Sequence, residues 1–141
     1  IKILAQQEGI KVELITCEAL WVAGDRHRLR QLLLNLGENA IKYNRSGGHI
    51  HFALQRENDR AVLQLSNTGS GIPPHLLPKV FDRFFRVDPS HNRTTDGCGL
   101  GLALAKWIVE AHGGDILIRS EPDTITTVEV KLPLLPSIIQ N

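Results

Sequence analysis

An α/β fold is predicted from three features of the sequence. Residues 25–44 carry a long amphipathic helical pattern, residues 100–111 carry a second one, and five short alternating segments, 10–15, 49–56, 61–66, 115–120 and 126–132, read as strands. At 141 residues the chain is one domain of ordinary size, long enough to bury a core without disulfides or a structural metal.

The elements follow in order. Residues 1–8 read as the end of a helix stopped at Gly9, the close of a linker helix from a longer protein. After the first strand, residues 19–23 form a short apolar partner that leads into the organising helix. Asp25 is a good N-cap there, and Leu29, Leu32, Leu33, Leu36, Ala40 and Tyr43 recur at three-and-four spacing as its core face. Asn35, Asn39 and Lys42 form a second stripe, turned by roughly 100° at 3.6 residues per turn. Arg45-Ser46-Gly47-Gly48 is a turn, and Glu57-Asn58-Asp59 closes a hairpin between the next two strands.

From Asn67 to Pro74 the pattern changes to a glycine-rich loop, followed by a short helix over 76–80 and then by Phe81-Asp82-Arg83-Phe84-Phe85-Arg86. Residues 87–96 are polar with no apolar period and read as a mobile loop. Gly97-Cys98-Gly99-Leu100-Gly101-Leu102 opens the second helix, whose apolar face is predicted to be Leu100, Leu104, Trp107, Ile108 and Ala111 before Gly113-Gly114 ends it. Two strands complete the sheet. The organisation predicted is a linker-helix end at 1–9, a domain at 10–133 and a tail at 134–141.

Composition excludes several classes of function. A net charge of +1, with no basic tract interleaved with aromatics, argues against a nucleic-acid binder. Cys17 and Cys98 match no zinc or redox spacing and fit a reducing compartment. His49 and His51 share a strand face, but two ligands do not make a metal site. No apolar run approaches the ~20 residues needed to span a bilayer, so a soluble, cytoplasmic piece without membrane contact is expected.

Taken singly, the polar stripe on the helix also reads as a solvated flank and the glycine cluster as a flexible turn; their chemistry together admits a nucleotide. Carboxamides beside an ammonium can offer oxygen to a metal ion and positive charge to phosphate. Glycines let backbone approach a flat ligand, and glycines opening a helix expose N–H groups at its positive end, where phosphate binds. No Gly-Lys-Ser/Thr follows the glycine loop, so it is not a Walker motif, and its GxGxG spacing after a polar loop is not a dinucleotide fingerprint.

Four segments together, Asn35 to Tyr43, Asn67 to Ile72, Phe81 to Arg86 and Gly97 to Leu102, resemble the N, G1, F and G2 boxes of sensor histidine kinases. Ala111-His112-Gly113-Gly114 and Lys131-Leu132-Pro133 resemble the ending of the same family. The resemblance runs from the first strand to Leu132. It implies the Bergerat ATP-binding fold shared with gyrase, Hsp90 and MutL, a two-layer sandwich of a mixed sheet on three helices with an ATP lid.

Carried over by motif, the resemblance gives Asn39 as the Mg²⁺ ligand, Asn35 near the phosphates, Lys42 on phosphate and Tyr43 packed on the nucleotide. Asn67 stands where the family usually has an adenine-reading Asp, with Gly69, Gly71 and Ile72 forming the wall beside the base. Arg86 reaches toward the nucleotide, Phe81 and Phe84 pack the lid base, and Gly97, Gly99 and Gly101 cradle phosphates while Leu100 and Leu102 help close the pocket. Thr126 matches the late-strand threonine near adenine, although Asp123 and Ile125 replace glycines usual before it.

The resemblance implies ATP and Mg²⁺ as cofactors and transfer of the γ-phosphoryl to a histidine on a separate dimerisation domain, then to a response regulator. None of the six histidines has the phosphoacceptor context, so autophosphorylation is expected to need that upstream domain. Whether the parent is anchored in the inner membrane is left open. Two alternatives are a degenerate nucleotide-binding module kept for regulation and an anti-sigma-factor-type serine kinase of the same fold.

Overall fold

The computed structural model describes residues 2–7, 9–69, 71–82, 101–121 and 124–136. Its elements are α1 (Lys2–Gln7), β1 (Lys11–Cys17), α2 (Arg26–Lys42), β2 (His49–Glu57), β3 (Arg60–Thr68), a 3₁₀ turn (Leu77–Lys79), α3 (Gly101–Ala111), β4 (Asp115–Glu121) and β5 (Ile125–Pro133). The strands form one mixed sheet in the order β1-β2-β3-β5-β4. Among the described residues, only β1 and β2 pair in parallel. A parallel pair needs a crossover, and α2 supplies it.

Alternation along the strands decides which face the helices cover. Across β2, β3, β5 and β4, the rows Leu54-Leu63-Val130-Ile116 and Phe52-Leu65-Val128-Ile118 are apolar. All of these but Leu54 pack in one cluster with Leu32, Leu36 and Ala40 of α2 and with Ala105, Ile108 and Val109 of α3. The helices therefore lie on one face, which makes the sandwich two-layered. Ala5 of α1 joins the same core.

Three side chains expected inside lie outside: Leu33, Trp107 and Ala111, the last at the exposed C-terminal end of α3. Leu33 is 43% exposed and Trp107 is 54% exposed. A two-layer fold buries only a narrow stripe of each helix, and Leu33 falls on the flank of the Leu32/Leu36 stripe. On α3 the buried stripe is Ala105, Ile108 and Val109, which turns Trp107 outward beneath the Arg28 guanidinium, 5.2 Å from the ring centroid. That contact is a cation–π pair.

The start of α2 is fixed twice. Asp25 accepts hydrogen bonds from the backbone N–H groups of His27 (2.9 Å) and Arg28 (3.2 Å), and the Arg28 bond foremost holds its carboxyl below the usual range. Its own N–H donates to His112 Nε2 at 3.0 Å, while His112 Nδ1 lies 2.7 Å from the Ile108 carbonyl oxygen. A ring nitrogen facing a carbonyl must carry the hydrogen, so the tautomer is Nδ1–H. His112 thus clamps the end of α3 to the beginning of α2. Beyond β5, Leu134 bridges Val22 and the Leu135 N–H donates to the Trp21 carbonyl at 2.9 Å.

The opposite face of the sheet is polar. Glu129 sits there almost fully buried, accepting from Gln64 Nε2 at 2.7 Å, with Arg119 at 3.6 Å and Lys131 at 3.7 Å. The Gln64 bond, aided by these two cations, holds its carboxyl below the ordinary value against the opposing effect of burial. Below the ordinary Glu pKa the unfolded chain takes up a proton that the folded chain resists. Stability is therefore expected to fall as the pH drops from that value through the lower folded one. Urea midpoints measured between pH 6 and 3 should show a shallower acid decline for Glu129→Gln than for the natural chain.

Candidate functional site

The apolar pattern of the helix-facing sheet surface stops abruptly at one end. Continuing each strand by its period of two, Leu63 and Leu65 lead to Asn67, Val130 and Val128 to Thr126, and Ile116 and Ile118 to Ser120. These three polar residues lie side by side, Asn67 opposite Thr126 and Thr126 opposite Ser120. Ser120 Oγ and Thr126 Oγ1 are 3.0 Å apart, and Ser120 Oγ accepts the Ile72 N–H at 2.8 Å. A polar floor thus sits at the end of a hydrophobic layer, with the glycine loop attached to it.

Asn67 is only 8% exposed, and its Nδ2 donates to the Thr68 carbonyl at 2.9 Å. A flipped amide would set oxygen against oxygen, so Nδ2 is the atom facing Thr68. Among the described residues nothing donates to Asn67 Oδ1. A buried acceptor without a donor is uncommon, and here it is available to a ligand's amino group. Thr68 in turn ties the chain behind it. Its hydroxyl lies 2.6 Å from Asn44 Oδ1 and accepts the His49 N–H at 2.9 Å, which fixes the end of β3 against the α2–β2 connection.

The floor connects to α2 through Gly69. Its φ is +152°, and a Cβ there would run into the Tyr43 carbonyl oxygen, so only glycine fits this approach. Tyr43 is the C-cap of α2, and its N–H returns to the Asn39 carbonyl at 3.0 Å. The Lys42 ammonium lies 5.0 Å from the Tyr43 ring centroid, at the same helix end. Further back, Asn35 and Asn39 both face α3. Asn35 Nδ2 reaches the Gly101 carbonyl at 3.5 Å, and a Cβ on Gly101 would lie 3.6 Å from Asn39 Nδ2 and 3.9 Å from Oδ1. Asn39 has no hydrogen-bond partner among the described residues.

The predicted residues therefore fall into two linked groups. Asn67, Gly69, Gly71, Ile72 and Thr126 form the floor and its loop, whereas Asn35, Asn39 and Gly101 meet where α2 passes the start of α3. Lys42 and Tyr43 lie between them. Leu102 packs against the core cluster. Phe81 is described and lies under the Lys106 ammonium, 5.4 Å from its ring centroid. Arg86, Phe84, Gly97, Cys98, Gly99 and Leu100, with the lid itself, lie outside the described residues.

Residues 24–136 match the family described as histidine kinase-, DNA gyrase B-, and HSP90-like ATPase. The chain belongs to this family. Sensor histidine kinase WalK of Bacillus subtilis is 43% identical over 116 residues, 81% of this chain and 19% of WalK. The solved mycobacterial sensor histidine kinase MprB superposes with a TM-score of 0.80 at 31% identity, over 96% of this chain and 91% of that one. Full-length ShkA in complex with AMPPNP gives a TM-score of 0.81 at 25% identity, over 96% of this chain and 28% of that one. The two-layer sandwich is thus the ATP-binding domain fold of sensor histidine kinases, and the chain spans about a fifth of the curated relative's length.

Within this ATP-binding domain the donor set fits the cofactors that the family implies. The Asn67 oxygen, which has no donor among the described residues, suits an exocyclic amine, and the Asn39 carboxamide beside Gly101, likewise without a partner among them, suits an ion that takes its other ligands from phosphate and water, as Mg²⁺ does. Among the described residues no three His, Cys, Asp or Glu side chains are grouped to hold a metal by themselves. An open polar cleft of about 280 Å³ lies at the far end of the sheet, lined by Glu57, Asp59, Arg60, Asp115 and Lys131 among others, and shares no residue with this site. Ser120 was not singled out from sequence. The signal for it was the same two-residue period that runs Ile116, Ile118, Ser120.

No helix among the described residues is long and apolar enough to cross a membrane.

Proposed function

We propose that this chain holds ATP with its base on the Asn67–Thr126 floor and its phosphates between Asn35, Asn39 and Gly101, and presents the γ-phosphoryl to a histidine on a separate dimerisation domain of the same kinase. A response regulator then receives the phosphoryl on an aspartate. The carrying observation is the arrangement that links the two groups: Gly69, two residues beyond Asn67, lies so close to the Tyr43 carbonyl that no Cβ fits, the Tyr43 N–H donates to the Asn39 carbonyl at 3.0 Å, and a Cβ on Gly101 would lie 3.6 Å from Asn39 Nδ2. Family membership and the likeness to sensor kinases support the phosphotransfer reading.

Transfer of this kind depends on positioning and charge neutralisation rather than on a covalent protein intermediate. The Asn67 oxygen accepts from the base amine and Thr126 offers a hydroxyl beside it. Asn39 and Lys42 face the phosphates, and Arg86 and the glycines at 97, 99 and 101 complete the cradle in this reading. Asn39 would hold Mg²⁺, which would neutralise phosphate charge. Asn35 stands where hydrolytic relatives carry a glutamate base. A carboxamide cannot take a proton at neutral pH, so slow direct hydrolysis is expected. Residues 1–9 serve as the end of the linker helix from the dimerisation domain, 10–133 as the catalytic domain and 134–141 as its tail.

The parent kinase, incubated with γ-labelled ATP and Mg²⁺, should acquire label that is acid-labile and base-stable, the signature of phosphohistidine. The Asn39→Ala form should not. Release of labelled phosphate with none retained on protein would contradict the proposal.

A further inference from the structure

We propose that Ser120 is a positioning residue for the nucleotide base, a role that rests on the ATP-site reading above. In the loop that follows β3, Gly69 and Gly71 both have positive φ, at +152° and +79°, backbone conformations that favour glycine. Among the described residues, the bond from the Ile72 N–H to Ser120 Oγ, at 2.8 Å, is the hydrogen bond that fastens this loop to the sheet. It anchors the wall of the base site to the same row that carries Asn67 and Thr126.

Hydrogen counting gives the second half of the role. A hydroxyl has one hydrogen and two lone pairs, and the Ile72 N–H, which can only donate, occupies one lone pair of Ser120. The Ser120 hydrogen is then free to go to Thr126 Oγ1, 3.0 Å away. In that arrangement the Thr126 hydrogen is released toward a ring nitrogen of the bound base. Asn67, fixed with its amide nitrogen on Thr68, presents only oxygen to the same base. The row therefore offers one acceptor, from Asn67, beside one donor, from Thr126. This pattern matches a ring that carries an exocyclic amine next to an unprotonated nitrogen.

The test compares Ser120→Ala and Ser120→Thr with the natural chain by calorimetric titration of Mg·ATP, by exchange of the Ile72 amide hydrogen in NMR, and by unfolding midpoint. Ser120→Ala should bind ATP about five- to tenfold more weakly, the scale of one hydrogen bond. Its Ile72 amide should exchange faster. Ser120→Thr, which keeps the hydroxyl, should restore both to within about twofold on the same scale. Unchanged ATP affinity in folded Ser120→Ala overturns the proposal, even if the unfolding midpoint falls, because that is the mark of a purely structural hydroxyl. Should the alanine form fail to fold, Ser120→Cys, close in size but a weak hydrogen-bonding group, takes its place with the same expected loss and the same overturning result. Failure of the natural chain to bind ATP would instead refute the nucleotide-site reading itself, which separates the two claims.

Discussion

Asn39→Ala is expected to lower the affinity of the chain for Mg·ATP by about 10- to 100-fold while leaving its unfolding midpoint nearly unchanged. Asn39 is half-buried at the margin of α2, beside Gly101, and its carboxamide makes no hydrogen bond within the described residues. Removing it therefore breaks no hydrogen bond among the described residues, and alanine is the better helix former. In the complex the carboxamide would face an ion and charged phosphate oxygens. Interactions with charged groups are worth about 1.5–3 kcal/mol each, and about 1.4 kcal/mol is a factor of ten in affinity. Titrations with and without a chelator check the assignment. The loss should shrink when Mg²⁺ is removed, because the natural chain then forfeits the same contact.

Asn67→Asp is expected to change affinity and stability in opposite directions. In the free chain the Asn67 amide donates to the Thr68 carbonyl at 2.9 Å, and the residue is almost fully buried. A carboxylate cannot donate there, so it would stand charged and unpaired against a carbonyl oxygen, a cost of about 1–3 kcal/mol or more. The unfolding midpoint of the free form should drop. A carboxylate accepting from the base amine makes a charge-assisted bond, about 1 kcal/mol stronger than the neutral one, which corresponds to about fivefold tighter ATP binding. Thermal shifts with and without ATP give both quantities from one sample pair. A variant as stable as the natural chain, or one that binds ATP no more tightly, would show that the Thr68 bond does not set the behaviour of Asn67.

The fold was largely legible because its layers have simple periods. Alternation located the five strands seen among the described residues, and the three-and-four spacing located α2 and α3. The width of the buried stripes was less legible. Leu33 and Trp107 are apolar residues on the flanks of helices that touch a sheet on one side only, and nothing in the local pattern says how far round a helix its cover extends. The site was legible where chemistry breaks a pattern, as with glycines after a strand or carboxamides beside a leucine stripe. Its floor was half visible. Asn67 and Thr126 came from family motifs, whereas Ser120 required the strand register, because residues 120 and 72 are far apart in sequence and meet only when β4 pairs with β5. The Thr68 carbonyl that orients Asn67 is backbone and leaves no mark in a sequence at all.

The most direct measurement of the central claim, that the Asn67–Thr126 floor and the Asn39–Gly101 contact form one nucleotide site, is a calorimetric titration of Mg·ATP into this chain. Saturable binding of one ATP per chain, weakened in Asn39→Ala, is the expected result. Absence of binding up to millimolar ATP, or binding that Asn39→Ala leaves intact, would contradict it.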